Sequence, residues 1–368
     1  MSFAEILAKY DSFDCKAYLD GVTPQEVERI LAKDSITGHD FLALLSPAAA
    51  TLLEPMAQKA HNITVRHFGR TIQMFTPLYL ANFCTNQCVY CGFNTANHIP
   101  RMQLSLEEVR AEAEAISASG LKHILILTGD APVKSSVAYI GDCCEVLREY
   151  FSSISIEVYA MTEAEYAELI THGVDGLTIY QETYNKELYA TLHPKGPKRD
   201  YAFRLEAPVR GCRAGMRNVN VGALLGLEEV WQRDAFFTGL HAQYLQREYP
   251  ATDIAISLPR MRPHVGSYEP ASIVSDRDLV QLTLALRIFL PKVGITLSTR
   301  EAAELRDNMM PLGVTKMSAG VSTSVGGHTQ DDTGTAQFDI SDPRSVAEMC
   351  AAIEANGFQP VFKDWEPF

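Results

Sequence analysis

The chain has no excess of basic residues, because 32 Lys and Arg stand against 45 Asp and Glu among 368 residues, a formal net charge of −13. This balance argues against a nucleic-acid-binding surface, since clustered Lys and Arg supply most of the affinity for a phosphate backbone. Local basic pockets for small anions remain compatible with it.

Long apolar segments are also missing. The first residues lack the basic region and apolar stretch of a secretory leader. The apolar stretch 41–53 contains Pro47 and is too short to span a bilayer. Eight cysteines in 368 residues do not resemble the disulfide framework of a secreted protein. We therefore expect a cytoplasmic protein, and 46% hydrophobic residues are ample for a large core.

Three cysteines are closely spaced: Cys84, Cys88 and Cys91 form a C-x3-C-x2-C motif. Thiolates suit iron–sulfur clusters, and three on one loop can hold three corners of a 4Fe–4S cube. The fourth iron is then open to a small molecule with neighbouring amino and carboxylate groups. The alternatives are buried thiols without a ligand role and a zinc site. Zinc favours four ligands, and His98 is the only candidate for the fourth close downstream.

The remaining cysteines have no partner at ligand-like spacing. They are expected to be ordinary buried thiols, and they are Cys15, Cys143, Cys144, Cys212 and Cys350.

From residue 72 onward, short apolar or β-branched runs alternate with helical patterns. The strand candidates are 72–80, 123–128, 154–159, 176–180, 218–224, 253–258, 295–298 and 314–318. Helical patterns lie at 106–117, 136–150, 163–171, 227–247, 276–289 and 301–308. Near-continuous apolar strands alternating with helices predict a covered parallel sheet, and eight such units predict a closed (β/α)8 barrel of the TIM type.

The ends of the chain follow a different pattern. Helical patterns at 2–33 and 38–66 predict an N-terminal helical extension over residues 1–70, and Pro24 lies early in a second helical stretch of the first segment. The barrel is expected over 71–340. A C-terminal helix and a tail, over 341–368, are expected to pack on the barrel.

The predicted barrel places chemistry at the carboxyl ends of its strands. Polar or glycine-containing segments follow seven of the eight strand candidates, including the cysteine motif after the first. Such clustering at one rim predicts the active site there.

The cysteine loop resembles that of the radical S-adenosylmethionine (SAM) superfamily. In that superfamily the amino and carboxylate groups of SAM bind the open iron, and electron transfer yields a 5′-deoxyadenosyl radical. The resemblance implies a 4Fe–4S cluster on Cys84, Cys88 and Cys91, with SAM as second cofactor and Tyr90 beside it.

Further SAM-binding residues follow from the same resemblance. Gly129 and Asp130 resemble the glycine-glycine-glutamate element that holds the SAM ammonium, with Asp in place of the usual Glu. Glu182 ends a buried strand, where a carboxylate is costly unless paired, and is expected at the ribose or the ammonium. Arg204 resembles the arginine that meets the SAM carboxylate. The alternatives are a plain turn at Gly129 and a solvated helix face at Arg204.

A weaker likeness lies at strand five. Gly222 and Leu224 resemble a Gly-x-Ile-x-Gly pattern, with Leu in place of Ile. The resemblance implies a flat wall against adenine.

Several longer segments narrow the resemblance to the 2-iminoacetate synthase family, the tyrosine lyases of bacterial thiamine biosynthesis. These segments are 77–82, 180–184, 257–263, 297–301 and 360–365. The resemblance implies cleavage of the Cα–Cβ bond of L-tyrosine to 2-iminoacetate and p-cresol, without catalytic residues beyond the cluster and the SAM-derived radical. It also implies thiazole synthase as a partner and flavodoxin or ferredoxin as reductant.

Arg300 follows strand seven and is expected to hold the substrate carboxylate. The same resemblance implies this role, together with a serine that matches Ser318 on the neighbouring strand. A planar guanidinium binds a carboxylate through two parallel hydrogen bonds. The alternative is a purely structural pair of Arg300 with Glu301. Arg260 and Arg262 are the next candidates for the carboxylate.

Three other functions are weighed against this one. A tryptophan lyase has a similar barrel, and these motifs distinguish it less clearly from a tyrosine lyase. The tyrosine lyase of hydrogenase maturation carries a second cluster on a C-terminal extension, and beyond Cys212 this sequence holds only Cys350, so we expect no second cluster. A non-catalytic electron carrier would not need the charged residues predicted at the rim.

Overall fold

Eight parallel strands close into a barrel in the computed structural model, which describes residues 2–330 and 334–363. A ninth strand lies beside the first. The strands are β1 Thr71–Ala81, β2 His123–Thr128, β3 Ser153–Glu157, β4 Val174–Glu182, β5 Asn218–Ala223, β6 Asp253–Ser257, β7 Gly294–Leu297, β8 Lys316–Ser318 and β9 Gln359–Val361.

The barrel closes because β1 pairs with two strands at different heights. Its first half pairs with β8, with Gln73 opposite Lys316, and its second half pairs with β2, with Thr76 opposite Ile124. The other strands follow in chain order. The predicted TIM-type fold is therefore confirmed, and each predicted strand corresponds to one observed strand.

Helices cover the outside of the sheet and its N-terminal side. They are α1 Phe3–Ala8, α2 Cys15–Gly21, α3 Pro24–Leu31, α4 Gly38–Ala43, α5 Leu53–Phe68, α6 Leu106–Ser117, α7 Val137–Leu147, α8 Glu163–Thr171, α9 Lys186–Leu192, α10 Tyr201–Leu205, α11 Ala207–Ala214, α12 Trp231–Glu248, α13 Asp276–Phe289, α14 Ala303–Met309 and α15 Val346–Ala355. Helices α6, α8 and α13 have the predicted bounds because capping boxes mark their starts, as at Ser105 and Glu108.

The N-terminal part differs from its prediction. The segments at 2–33 and 38–66 are helical, and α3 begins at Pro24, early in the second predicted stretch of the first segment. The chain is divided further than expected, however, because it forms the five helices α1 to α5 there. The side chains of Asp14 and Thr23 accept hydrogen bonds from the first turns of α2 and α3, so each marks a new helix start. The start of α3 was predicted from Pro24, whereas the local signal at Asp14 was present and not used.

The C-terminal part also differs. The helix predicted from 341 begins at Val346, and the tail that follows forms β9, which pairs Gln359 with Thr71 of β1. Residues 364 and 365 of the terminal motif lie outside the described residues.

The N-terminal helices share the core of the barrel. Phe41 of α4 stacks on Phe289 of α13 with ring centroids 4.7 Å apart. A Cβ at Gly239 of α12 would lie 2.5 Å from the Phe41 ring, so only glycine permits this approach. No helix in the part of the chain described here is long and apolar enough to cross a membrane.

Candidate active site

Two cavities meet at the carboxyl ends of the strands. The smaller, of about 130 Å³, lies at the cysteine loop and is called the loop cavity. The larger, of about 300 Å³, fills the inside of the barrel and is called the barrel cavity. Both are lined by Tyr79, Glu157, Tyr180, Arg300 and Phe338, so they form one continuous space.

All three motif cysteines line the loop cavity. Burial raises the pKa of the Cys84 thiol to about 11 and raises that of Cys91 as well, so thiolates here require a strongly cationic partner such as cluster iron. In residues 2–330 and 334–363, no group of three or more His, Cys, Asp or Glu surrounds a single-ion position. A 4Fe–4S cluster does not require its cysteines to surround one position, since each cysteine binds a different iron. The donor set therefore fits a 4Fe–4S group.

The segment after β2 holds the cysteine loop in place. A Cβ at Gly129 would lie 2.3 Å from the main-chain oxygen of Phe83, so glycine permits the close approach of the two segments. The Asp130 side chain accepts a hydrogen bond from Asn86 Nδ2 at 2.7 Å, and its main-chain oxygen accepts one from Thr85 N at 2.9 Å. Gly129 and Asp130 therefore do more than form a turn, because both contact the cysteine loop.

Glu182 lies in a strained position at the end of β4. Its φ of +71° is unusual for a residue with a side chain, and the pairing of β4 with β5 shifts register there. The carboxylate is buried and pairs with Lys198 Nζ at 2.6 Å and Arg204 NH2 at 3.5 Å. Burial alone would raise the pKa of Glu182, but the two cations hold it below its usual value.

Arg204 is a buried residue of α10, not part of a solvated face. Its Nε donates to the main-chain oxygen of Tyr180 at 2.8 Å, which turns the guanidinium toward the loop cavity that it lines. The position predicted from the resemblance is consistent with this geometry.

Lys198 was missed by the sequence analysis. Its main-chain N–H donates to Asn86 Oδ1 at 3.0 Å, and its ammonium lies over the Tyr90 ring at 5.7 Å from the centroid. Two signals pointed to it: the predicted buried carboxylate required a cation, and residues 195–199 form a basic run in an acidic chain.

The wall of the loop cavity is aromatic and aliphatic. Tyr90 is buried, and its hydroxyl bonds His193 Nε2 at 2.7 Å. Leu224 lines the cavity and packs with Cys88 and Tyr90. Gly222 lines neither cavity; a Cβ there would lie 1.9 Å from the main-chain oxygen of Ser257. The glycine is thus explained by the packing of β5 against β6, and we do not retain it as a cofactor contact.

Arg300 lies where the two cavities join. Its guanidinium is 3.5 Å from the centroid of the Phe338 ring, and NH1 donates to the main-chain oxygen of Arg260 at 3.5 Å. It forms no ion pair with any carboxylate in the described ranges. The structural pair with Glu301 is therefore wrong.

Glu301 instead pairs with the two other arginines of this rim. It pairs with Arg260, and with Arg262 NH2 at 3.2 Å. Arg260 also pairs with Asp276 at 2.8 Å and lines neither cavity, so we no longer assign it to the substrate. Arg262 lines the loop cavity but carries a balanced charge.

Ser318 lines the barrel cavity at the end of β8. Its Oγ accepts a hydrogen bond from the main-chain N–H of Thr299 at 3.2 Å. The serine therefore fixes the backbone beside Arg300, and its hydroxyl hydrogen is available for one further bond.

Comparisons with known proteins match most of the chain. The Radical SAM superfamily matches residues 78–237, and the Biotin and Thiamin Synthesis associated domain matches 257–359. The chain is 40% identical over 367 residues to 2-iminoacetate synthase of Escherichia coli (strain K12), covering 100% of this chain and 97% of that one. It is 40% identical over 353 residues to the protein of that name from Salmonella typhimurium, covering 96% and 94%.

A solved structure matches over the same length. The crystal structure of HydG, a maturase of the FeFe-hydrogenase, superposes with a TM-score of 0.89 at 30% identity, covering 95% of this chain and 79% of that chain. The likeness includes the barrel and the helices that flank it.

Proposed function

We propose that this chain, which belongs to the 2-iminoacetate synthase family of the radical SAM superfamily, cleaves L-tyrosine between Cα and Cβ. The products are 2-iminoacetate and p-cresol, and SAM is consumed to 5′-deoxyadenosine and methionine. The observation that carries the proposal is the match to curated relatives over the whole chain. The meeting of the cysteine-lined cavity and the barrel cavity at Arg300 supports it.

The cofactors are a 4Fe–4S cluster and SAM. When bound, they supply a 5′-deoxyadenosyl radical that removes a hydrogen atom from the substrate's amino nitrogen. Cys84, Cys88 and Cys91 hold the cluster in this proposal, and Leu224 and Tyr90 form the wall of its cavity.

The charged residues of the loop cavity position SAM. Asp130 and Glu182 receive cationic or hydroxyl groups of SAM, and Arg204 receives its carboxylate. Lys198 keeps Glu182 ionised, because it lies 2.6 Å from the carboxylate. A site with both signs of charge suits a ligand that carries an ammonium, a sulfonium and a carboxylate.

Arg300 binds the carboxylate of tyrosine. Its charge is not balanced by a carboxylate in the described part of the chain, and Phe338 holds its guanidinium from one side. Ser318 supports the backbone beside it. A fixed carboxylate places the amino nitrogen at the junction of the cavities, where the reaction begins.

The cellular context is also part of the proposal. The 2-iminoacetate passes to thiazole synthase for the thiazole of thiamine, and flavodoxin or ferredoxin supplies electrons. The protein works in the cytoplasm. The proposed division is 1–70 for the helical extension, 71–340 for the barrel and 341–368 for a C-terminal unit, of which the structure describes residues 2–330 and 334–363.

One experiment separates the candidate functions. The protein is reconstituted anaerobically and supplied with SAM, a low-potential reductant, and either L-tyrosine or L-tryptophan. We expect p-cresol, 5′-deoxyadenosine, methionine and glyoxylate from the hydrolysed imine with tyrosine alone. Turnover of tryptophan alone would indicate a tryptophan lyase, and stoichiometric cyanide would indicate the hydrogenase-maturation reaction. Absence of 5′-deoxyadenosine in every mixture would favour an electron carrier.

A further inference from the structure

Glu157 is a charged residue of the site to which no role has been given. It is the last residue of β3 and lines both cavities. Arg300, which follows β7, also lines both cavities. Strands β3 and β7 are four places apart in a closed barrel of eight, so they lie on opposite sides of its mouth. A carboxylate and a guanidinium therefore face each other across the space where the cavities join.

Neither of these two charges is balanced by a close partner. Glu157 forms no ion pair and no side-chain hydrogen bond within residues 2–330 and 334–363. Four other carboxylates line the two cavities. Glu182 pairs with Lys198, and Glu301 pairs with Arg262. Asp130 accepts a hydrogen bond from Asn86 on the cysteine loop, and Asp253 lies at the start of β6, at the opposite end of the barrel. A facing cation and anion without partners match the carboxylate and ammonium of an amino acid bound between them.

We propose that Glu157 receives the ammonium group of the substrate opposite Arg300 and accepts one of its protons. The step breaks one N–H bond of the ammonium and forms the O–H bond of the carboxyl group. The electron pair stays on nitrogen, and nothing is oxidised or reduced. This inference rests on the proposed function, because it assigns a role within the tyrosine reaction.

The reaction needs such a proton acceptor. An ammonium is a poor hydrogen-atom donor to a carbon radical, because the nitrogen radical left behind would carry a positive charge. A neutral amine avoids that charge. A carboxylate within hydrogen-bond reach of the ammonium removes the proton before the hydrogen atom is taken.

The surroundings of Glu157 suit this role. Burial raises the pKa of Glu157 to about 7, close to the pH at which a proton acceptor works well. The charged groups that act on it are Arg300, Arg204 and Lys198, which lower its pKa, and Glu182, which raises it. The neighbouring phenols Tyr79 and Tyr180 remain protonated, because burial raises the pKa of each far above neutrality.

A binding experiment tests where Glu157 acts. Reconstituted protein with SAM and without reductant is titrated with L-tyrosine, with L-phenylalanine, and with 3-(4-hydroxyphenyl)propanoate, which lacks the amine. Glu157→Gln should weaken L-tyrosine about ten- to a hundred-fold, the range for losing a hydrogen bond between charged groups. It should weaken the propanoate by less than about two-fold, and Glu157→Asp should recover much of the tyrosine affinity.

Two results of this experiment would overturn the inference. Equal weakening of tyrosine and the propanoate would mean that Glu157 shapes the cavity without contacting the amine. Loss of the preference for tyrosine over phenylalanine would mean that Glu157 binds the phenol. As a control for folding, the cluster content and melting temperature of both variants are measured and should equal those of the wild type.

The pH dependence gives a second, independent readout. In the wild type, kcat/KM for L-tyrosine, measured by p-cresol formation, should rise with pH through about 7 as Glu157 ionises. Glu157→Gln should lose that rise and gain activity only as the substrate ammonium itself deprotonates. If the pH profile of Glu157→Gln equals that of the wild type, the role of Glu157 is refuted, while the proposed function still stands. Failure of the wild type to form p-cresol from tyrosine contradicts the proposed function, whatever the variants do.

Discussion

The substitution Arg300→Lys tests how the substrate is held. It keeps the positive charge but replaces a planar group that can form two parallel hydrogen bonds by a point charge. Losing one charge-assisted hydrogen bond costs about 1.5–3 kcal/mol, so tyrosine should bind about ten- to a hundred-fold more weakly. The guanidinium lies 3.5 Å from the Phe338 ring centroid, and losing that stacked orientation adds to the effect.

The assay measures binding and chemistry separately. Tyrosine affinity is measured on the reconstituted, unreduced protein with SAM, and p-cresol and 5′-deoxyadenosine are measured after reduction. Arg300→Lys should keep its iron content and still form 5′-deoxyadenosine. Its yield of p-cresol per 5′-deoxyadenosine should fall, because a misplaced amine no longer meets the radical.

Arg260→Lys is the matched control. Arg260 is the same residue type at the same rim, but it pairs with Glu301 and Asp276 and lines neither cavity. Its substitution should leave tyrosine affinity within about two-fold of the wild type, since it breaks no contact to the substrate. Unchanged affinity in Arg300→Lys, or an equal loss in Arg260→Lys, would refute the assignment of Arg300.

Three further outcomes are expected. Cys88→Ala should abolish cluster binding and SAM cleavage. Cys143→Ala, at a buried position of α7, should keep wild-type iron content by iron assay. Gly129→Ala should lower the iron content at unchanged far-UV circular dichroism, because its Cβ would lie 2.3 Å from a main-chain oxygen of the cysteine loop. The pKa of Glu182 is held low, so its stabilising effect is present above the unfolded pKa of about 4.3 and is lost as pH falls through the lower folded value. Lys198→Met should lower the free energy of unfolding by about 3 kcal/mol at neutral pH. It should also move the loss of stability in acid to higher pH. Denaturant titrations at neutral and acidic pH measure both effects, and midpoints equal to those of the wild type would contradict them.

Much of the architecture was predictable because its signals are local. The strands were identified from short apolar runs, and helices α6, α8 and α13 from their polar–apolar pattern. The structure shows that capping boxes mark the starts of these helices. The cysteine motif was predicted as a cluster site because its three ligands lie within eight residues of chain. The N-terminal extension was predicted as helical, but its division into five helices was not, although caps such as Asp14 were visible.

The sequence by itself determined the barrel, the cysteine loop and the family. Only the tertiary structure decided which charges meet at the rim. Glu301 pairs with Arg262 rather than with Arg300, Lys198 pairs with Glu182, and β9 joins Gln359 to Thr71. Charge pairing depends on distances between side chains from different strands and loops, and no periodicity along the chain encodes those distances. The position of Glu157 opposite Arg300 has the same origin, because closing the eight strands brings β3 and β7 to face each other.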